Sequence, residues 1–178
     1  GPGLYMHAYE WIGPQDAGVY WARGNGWVTA AAYQYLRVRR LREEEDGAVS
    51  KAADILTSAV LEVQDADSGL WWTVLNRPGE TYLETSASAL FAHSFARAYR
   101  YGYASDDILA PIAAAMSGIH NRIETDDTDR PFVTGISGAT GVDRFEGYAG
   151  IKQKDDLPFG VGAVLMALVE TSGLPLED

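Results

Sequence analysis

The sequence contains no cysteine, which excludes disulfides, thiolate metal sites and cysteine nucleophiles while leaving the compartment open. Basic residues are few: 14 Lys and Arg stand against 25 Asp and Glu, a formal net charge of -11. So acidic a chain is a poor partner for nucleic acid or an anionic membrane, since both select a basic patch. No run of eighteen or more apolar residues is present, so no membrane-spanning helix is read. The basic-then-apolar pattern of a secretory signal is also missing, and both cytoplasmic and secreted locations stay open. The three histidines, His7, His93 and His120, are not spaced as a zinc motif. Neither a phosphate-binding Gly-rich loop nor a Gly-x-Ser-x-Gly elbow occurs, so no metal or cofactor is expected.

What is present is a chain of 178 residues with a 47% hydrophobic share, enough for one domain with a sizeable core. Helical periodicity predicts a first helix over 26–42, with Val28, Ala31, Ala32, Tyr35, Leu36 and Val38 as its small and apolar set. Its basic end, Arg37 to Arg42, suits the negative pole of the helix dipole. A second helix is predicted over 50–64, capped by Ser50, with Ala53, Leu56, Val60 and Val63 inward. Residues 70–75 read as extended. A third helix over 84–101 and a fourth over 106–123 follow, and a fifth over 159–171 starts beside Pro158. The stretch 126–155 has no sustained period and is too long for a passive connection in a compact domain.

Gly3-Leu4-Tyr5-Met6-His7-Ala8 matches Gly69-Leu70-Trp71-Trp72-Thr73-Val74 in pattern. Each precedes, by a loop, a helix rich in alanine and aromatics and then a second helix, giving a unit of about 66 residues. Pro131-Phe132-Val133 and the fifth helix look like a degenerate third copy. Units of this kind bury their faces against neighbours, so the array is expected either to be capped or to close into a ring.

Trp21-Ala22-Arg23-Gly24-Asn25-Gly26-Trp27 is the densest motif. Indole faces cover the apolar faces of pyranose rings, an Arg fork matches a carboxylate, and glycine permits close backbone approach. His7 lies among Tyr5, Tyr9, Glu10 and Trp11, the aromatic and acidic company of a binding site. Glu84 holds in the second unit the place of this motif in the first. It can face a shared cavity or serve the first turn of its helix, and Asp155-Asp156 before the fifth helix has the same two readings. The abundance of carboxylates leaves a two-carboxylate glycosidase open.

The runs Gly3 to Glu10 and Trp21 to Trp27, with Glu84 to Ala89 and Asp156 to Ala163, together resemble glycoside hydrolase family 105, the unsaturated rhamnogalacturonyl and glucuronyl hydrolases. The resemblance covers nearly the whole chain. It implies an all-α fold, an (α/α)6 barrel of six helical hairpins with short β-hairpins in the loops. The chain is then expected to be a single domain, 1–178, forming the C-terminal half of that barrel, with the N-terminal half as its missing partner.

The resemblance also implies a reaction. An aspartic acid protonates the C4=C5 double bond of an unsaturated uronic acid left by a polysaccharide lyase, as in pectin degradation. Water adds at C5 and the resulting hemiketal opens. The catalytic Asp is expected upstream of this chain. His7, Trp21, Arg23 and Trp27 correspond to the family's substrate pocket, with Arg23 toward the anionic sugar, and Glu10 and Glu84 are further candidates. Two alternatives remain at this point: a conventional barrel glycosidase using Glu10 or Glu84, and an inactive sugar-binding fragment.

Overall fold

The computed structural model describes residues 3–8 and 18–176. The order is α1 (Ala22–Leu41), α2 (Gly47–Leu61), α3 (Thr85–Arg100), α4 (Leu109–His120), β1 (Ile123–Thr125), β2 (Pro131–Val133), β3 (Ile136–Ser137), α5 (Phe145–Ala149), β4 (Gln153–Lys154) and α6 (Pro158–Thr171). A 3-10 turn, Asp106–Ile108, leads into α4. The fold is mostly helical, with two small antiparallel pairs, β1–β2 and β3–β4.

Helix α3 is the axis of the packing. It touches α1, α6 and α4, and every residue from Thr85 to Ala96 is buried. Its own composition allows this, since Ala and Ser let neighbouring helices approach, while Leu90, Phe91 and Phe95 fill the gaps. Gly26 in α1 provides the closest approach: a Cβ there would lie 2.9 Å from the Leu90 Cβ. Helices α1, α3 and α6 run parallel, because their ends meet in the same order. Arg23 at the start of α1 meets Ser86 and Phe159 at the starts of α3 and α6. Arg97, near the end of α3, bonds Gln34 late in α1 and Glu170 late in α6. Trp71 anchors the outer layer: it is fully buried, its indole N–H donates to the Val60 carbonyl at 2.8 Å, and it packs on Phe91.

The repeat is borne out in its first two copies by backbone detail. Gly3 and Gly69 both have positive φ, 81° and 71°. Each packs on the outer helix of its unit: an added Cβ would meet Ala59 and Ile55 of α2 at the first, and the Ala114 carbonyl of α4 at the second. Two residues later a helix side chain takes hold of the backbone, Asn25 on Tyr5 and Ser88 on Trp71. The third copy does not repeat this device, since Gly135 (φ 72°) packs against the Thr85 hydroxyl of α3 rather than an outer helix.

Several expectations need correction. Helix α1 starts earlier than its periodicity suggested, and its buried stripe is Ala22, Asn25, Gly26, Thr29, Ala30, Tyr33 and Leu36. Val28, Tyr35 and Val38 lie on an exposed face instead. Helix α2 is capped by Asp46, whose carboxylate accepts the Val49 N–H at 3.1 Å, and not by Ser50. The 126–155 stretch, expected to be more than a passive connection, holds β2, β3, α5 and β4.

His93 is nearly buried, with Nδ1 3.1 Å from the Met166 carbonyl; its Nε2 has no hydrogen-bond partner among the described residues. Because Nδ1–H donates to that carbonyl, Nε2 carries the lone pair, and burial lowers the ring's pKa. The unfolded chain then takes up a proton that the folded one resists, so stability should fall as pH drops below about 6.5. Urea midpoints between pH 7.5 and 5 check this, and His93→Gln is expected to flatten part of the dependence.

Candidate functional site

Arg23, Ser86 and Phe159 each occupy the second position of their helix, in α1, α3 and α6. The three residues converge. The Arg23 Nη1 lies 3.3 Å from the Ser86 hydroxyl, and its guanidinium sits over the Phe159 ring at 4.5 Å and the Trp21 ring at 5.0 Å. Arg23 is only 5% exposed. Its two terminal nitrogens also donate to the Ser137 carbonyl at 2.8 Å, the Gly138 carbonyl at 2.8 Å and the Thr140 hydroxyl at 3.1 Å. Burial lowers its pKa against the opposing pull of the Glu84 carboxylate, 3.8 Å away.

This arrangement corrects the role expected for Arg23. A carboxylate-gripping arginine needs its forked donors free, and here they are committed to Ser86 and the segment 137–140. Arg23 is instead a bracket that ties the stretch after β3 to the starts of the helices, and it holds a fixed positive charge beneath the aromatic side chains.

Glu84 needs the same correction. It is fully buried and is the N-cap of α3. Its carboxylate accepts the backbone N–H of Ser86 at 3.1 Å, of Ala87 at 2.7 Å and of Ser137 at 2.9 Å, together with the Ser86 hydroxyl. A carboxylate so saturated has no oxygen left for a sugar or a water. The capping alternative is the one the structure supports. Asp156 likewise does not face the helix starts. It has positive φ, 51°, and its carboxylate accepts the Val133 N–H at 2.9 Å.

Trp27 lies one helical turn beyond Arg23 on the same face of α1 and is 45% exposed, a large apolar surface that the fold leaves uncovered. Trp21, the N-cap residue of α1, is half-buried between Arg23 and His7, whose ring is 4.4 Å away. His7 is partly buried, which lowers its pKa, and its Nδ1 is 2.6 Å from the Tyr148 phenol oxygen. Glu10 lies outside the described residues. The structure thus brings His7, Trp21 and Arg23 together and leaves Trp27 exposed one turn further along α1, while Glu84 is internal.

Sequence reasoning missed Ser86, Ser137, Tyr148 and Phe159. Phe159 was within reach, because its place after Pro158 repeats that of Arg23 after Ala22. Tyr148 had no such signal, being brought to His7 from 141 residues away by a stretch without periodicity.

Residues 2–174 match the model of Glycosyl Hydrolase Family 88. Protein Atu3128 of Agrobacterium fabrum is 28% identical over 95% of this chain and 82% of its own length. Unsaturated rhamnogalacturonyl hydrolase YesR of Bacillus subtilis is 27% identical over 94% of this chain and 46% of its own. A crystal structure from Klebsiella pneumoniae, described as a possible member of the GH105 family, superposes with a TM-score of 0.80 at 29% identity, covering 95% of this chain and 44% of that one. The chain therefore spans less than half the length of YesR and of the Klebsiella protein. The family match covers nearly all of the chain, and the likeness to GH105 anticipated from the Trp-Arg motif runs through the same residues. By that breadth of match, the chain belongs to Glycosyl Hydrolase Family 88 and is similar to GH105 structures.

Proposed function

We propose that this chain forms the substrate-pocket part of a hydrolase acting on 4,5-unsaturated uronic acids at the non-reducing end of lyase-generated oligosaccharides. One observation carries the reading: the second residues of α1, α3 and α6 meet at a single point, with Trp27 exposed one helical turn along α1 and His7 packed against Trp21. The likeness to YesR supports the substrate class. Trp27 supplies a face for the sugar ring and His7 a polar contact at its edge. Arg23, its two terminal nitrogens engaged, contributes a buried positive charge that favours an anionic sugar in a chain of net charge -11.

In this reading a proton is delivered to C4 of the vinyl ether, the ring oxygen stabilises the cation at C5, and water adds there with loss of a proton. The hemiketal then opens and the aglycone leaves. The proton donor is assigned to an aspartate from another part of the helical array, since Glu84 is committed as a cap. That commitment also disfavours a two-carboxylate mechanism through Glu84. Val28, Tyr35 and Ile55 at the α1–α2 edge, and Leu165 and Val169 on α6, are exposed apolar side chains. We read them as joints with further helix pairs, in keeping with the greater length of YesR and the Klebsiella protein.

The test is binding of an unsaturated galacturonide disaccharide and of the saturated uronide to this chain. Turnover, read as loss of the double bond's ultraviolet absorbance, is expected only when the helical array carrying the proton donor is also present. Trp27→Ala should weaken the saturated uronide by roughly five- to tenfold, the loss of about 1 kcal/mol of ring stacking. Its melting temperature should change little because the side chain is exposed. Unchanged affinity would remove Trp27 from the site.

A further inference from the structure

The segment between β3 and β4 carries a short helix, α5, whose buried residue is Tyr148. A helix of five residues does not hold itself together, so the segment is fixed by its contacts. Arg23 holds one end through the Gly138 carbonyl and the Thr140 hydroxyl. At the other end Tyr148, 1% exposed, packs with Val19 and Val74 and places its phenol oxygen 2.6 Å from His7 Nδ1. The rings meet edge to face at 5.8 Å, and the His7 ring also lies 4.4 Å from that of Trp21. The bracket at Arg23 and the imidazole at His7 are thereby joined through one stretch of chain.

We propose that Tyr148 is a positioning residue that fixes the ring orientation and the tautomer of His7. The inference rests on the reading of His7 as part of the sugar site. A neutral imidazole carries one proton, and the partner at one nitrogen decides which nitrogen holds it. In this proposal the phenol O–H is the donor to Nδ1, 2.6 Å away, which leaves the ring proton on Nε2. The nitrogen pointing away from Tyr148 is then a donor, suited to a sugar hydroxyl or a uronate oxygen, both of which accept. Without the phenol, the ring has no polar reason to prefer one face or one tautomer.

Long-range proton–nitrogen spectra of the histidine-labelled chain read the tautomer directly, with no ligand present. The wild-type chain should show His7 as a single tautomer with its proton on Nε2. Tyr148→Phe, which keeps the ring and removes the hydroxyl, should give a mixture and weaken saturated digalacturonate several-fold. A wild-type proton on Nδ1, or a wild-type mixture, overturns the proposal even if the variant fails to fold. An unchanged tautomer in a folded Tyr148→Phe chain overturns it as well. His7→Ala separates the two readings. If it leaves digalacturonate affinity unchanged while Tyr148→Phe shifts the tautomer, Tyr148 positions His7 but the sugar-site reading fails.

Discussion

Glu84→Ala is expected to destabilise the chain by about 3–5 kcal/mol, the usual consequence of leaving a buried charge unpaired. The carboxylate answers four needs at once. It caps α3 at Ser86 and Ala87, holds the Ser137 N–H, and balances the buried Arg23 guanidinium 3.8 Å away. Alanine would leave Arg23 without a counter-charge and three N–H groups without acceptors, in a place where water does not reach. A loss of that size approaches the whole stability of many domains of this length. Glu84→Gln should lose less, because the amide oxygen retains part of the cap while the charge is gone. Urea denaturation of the two variants gives the comparison. A loss below about 1 kcal/mol for Glu84→Ala would mean that the carboxylate faces solvent, as a catalytic acid would.

The second large effect belongs to Gly69. At φ 71° any other residue is strained, by roughly 1–2 kcal/mol. The greater cost is steric, since an added Cβ would sit 2.1 Å from the Ala114 carbonyl oxygen, a backbone atom that cannot rotate away. Either the turn or α4 must move, and overpacking of this kind costs about 1–3 kcal/mol more. Gly79→Ala is the control. Its φ of 78° is similar, but its Cβ would meet nothing within 4 Å, so only the strain remains. Thermal melts should therefore order the variants with Gly69→Ala well below Gly79→Ala. Gly3→Ala, whose Cβ would lie 2.9 Å from the Ala59 side chain, should fall between them. Equal shifts for Gly69 and Gly79 would dissolve the equivalence of the first two units.

The order of helices was readable because periodicity is local: Ala53, Leu56 and Val60 are buried where their spacing placed them, and Leu90, Phe91, Phe95, Ile112 and Ile119 are buried within the helices read over 84–101 and 106–123. The repeat was readable for the same reason, as Gly3 and Gly69 mark equivalent turns. What could not be read was the identity of the neighbour. Val28 and Val38 are apolar at helical spacing yet exposed, whereas Arg23 and Glu84 are charged yet buried. Residue type predicts burial only on average, and here Arg23 and Glu84 partner one another across 61 positions of sequence. Within the Trp-Arg motif the arginine is buried and bonded to Ser86 and the stretch after β3, a role its residue type does not announce.

The central claim is that the joined starts of α1, α3 and α6 present a sugar-binding surface through Trp27 and His7. Titrating the nitrogen-labelled chain with saturated digalacturonate, and following its spectrum, tests this most directly. Shifts concentrated at the Trp27 indole, His7, Thr140 and Phe159 are the result expected. Shifts confined to the outer helices α2 and α4, or none at millimolar ligand, would contradict the account.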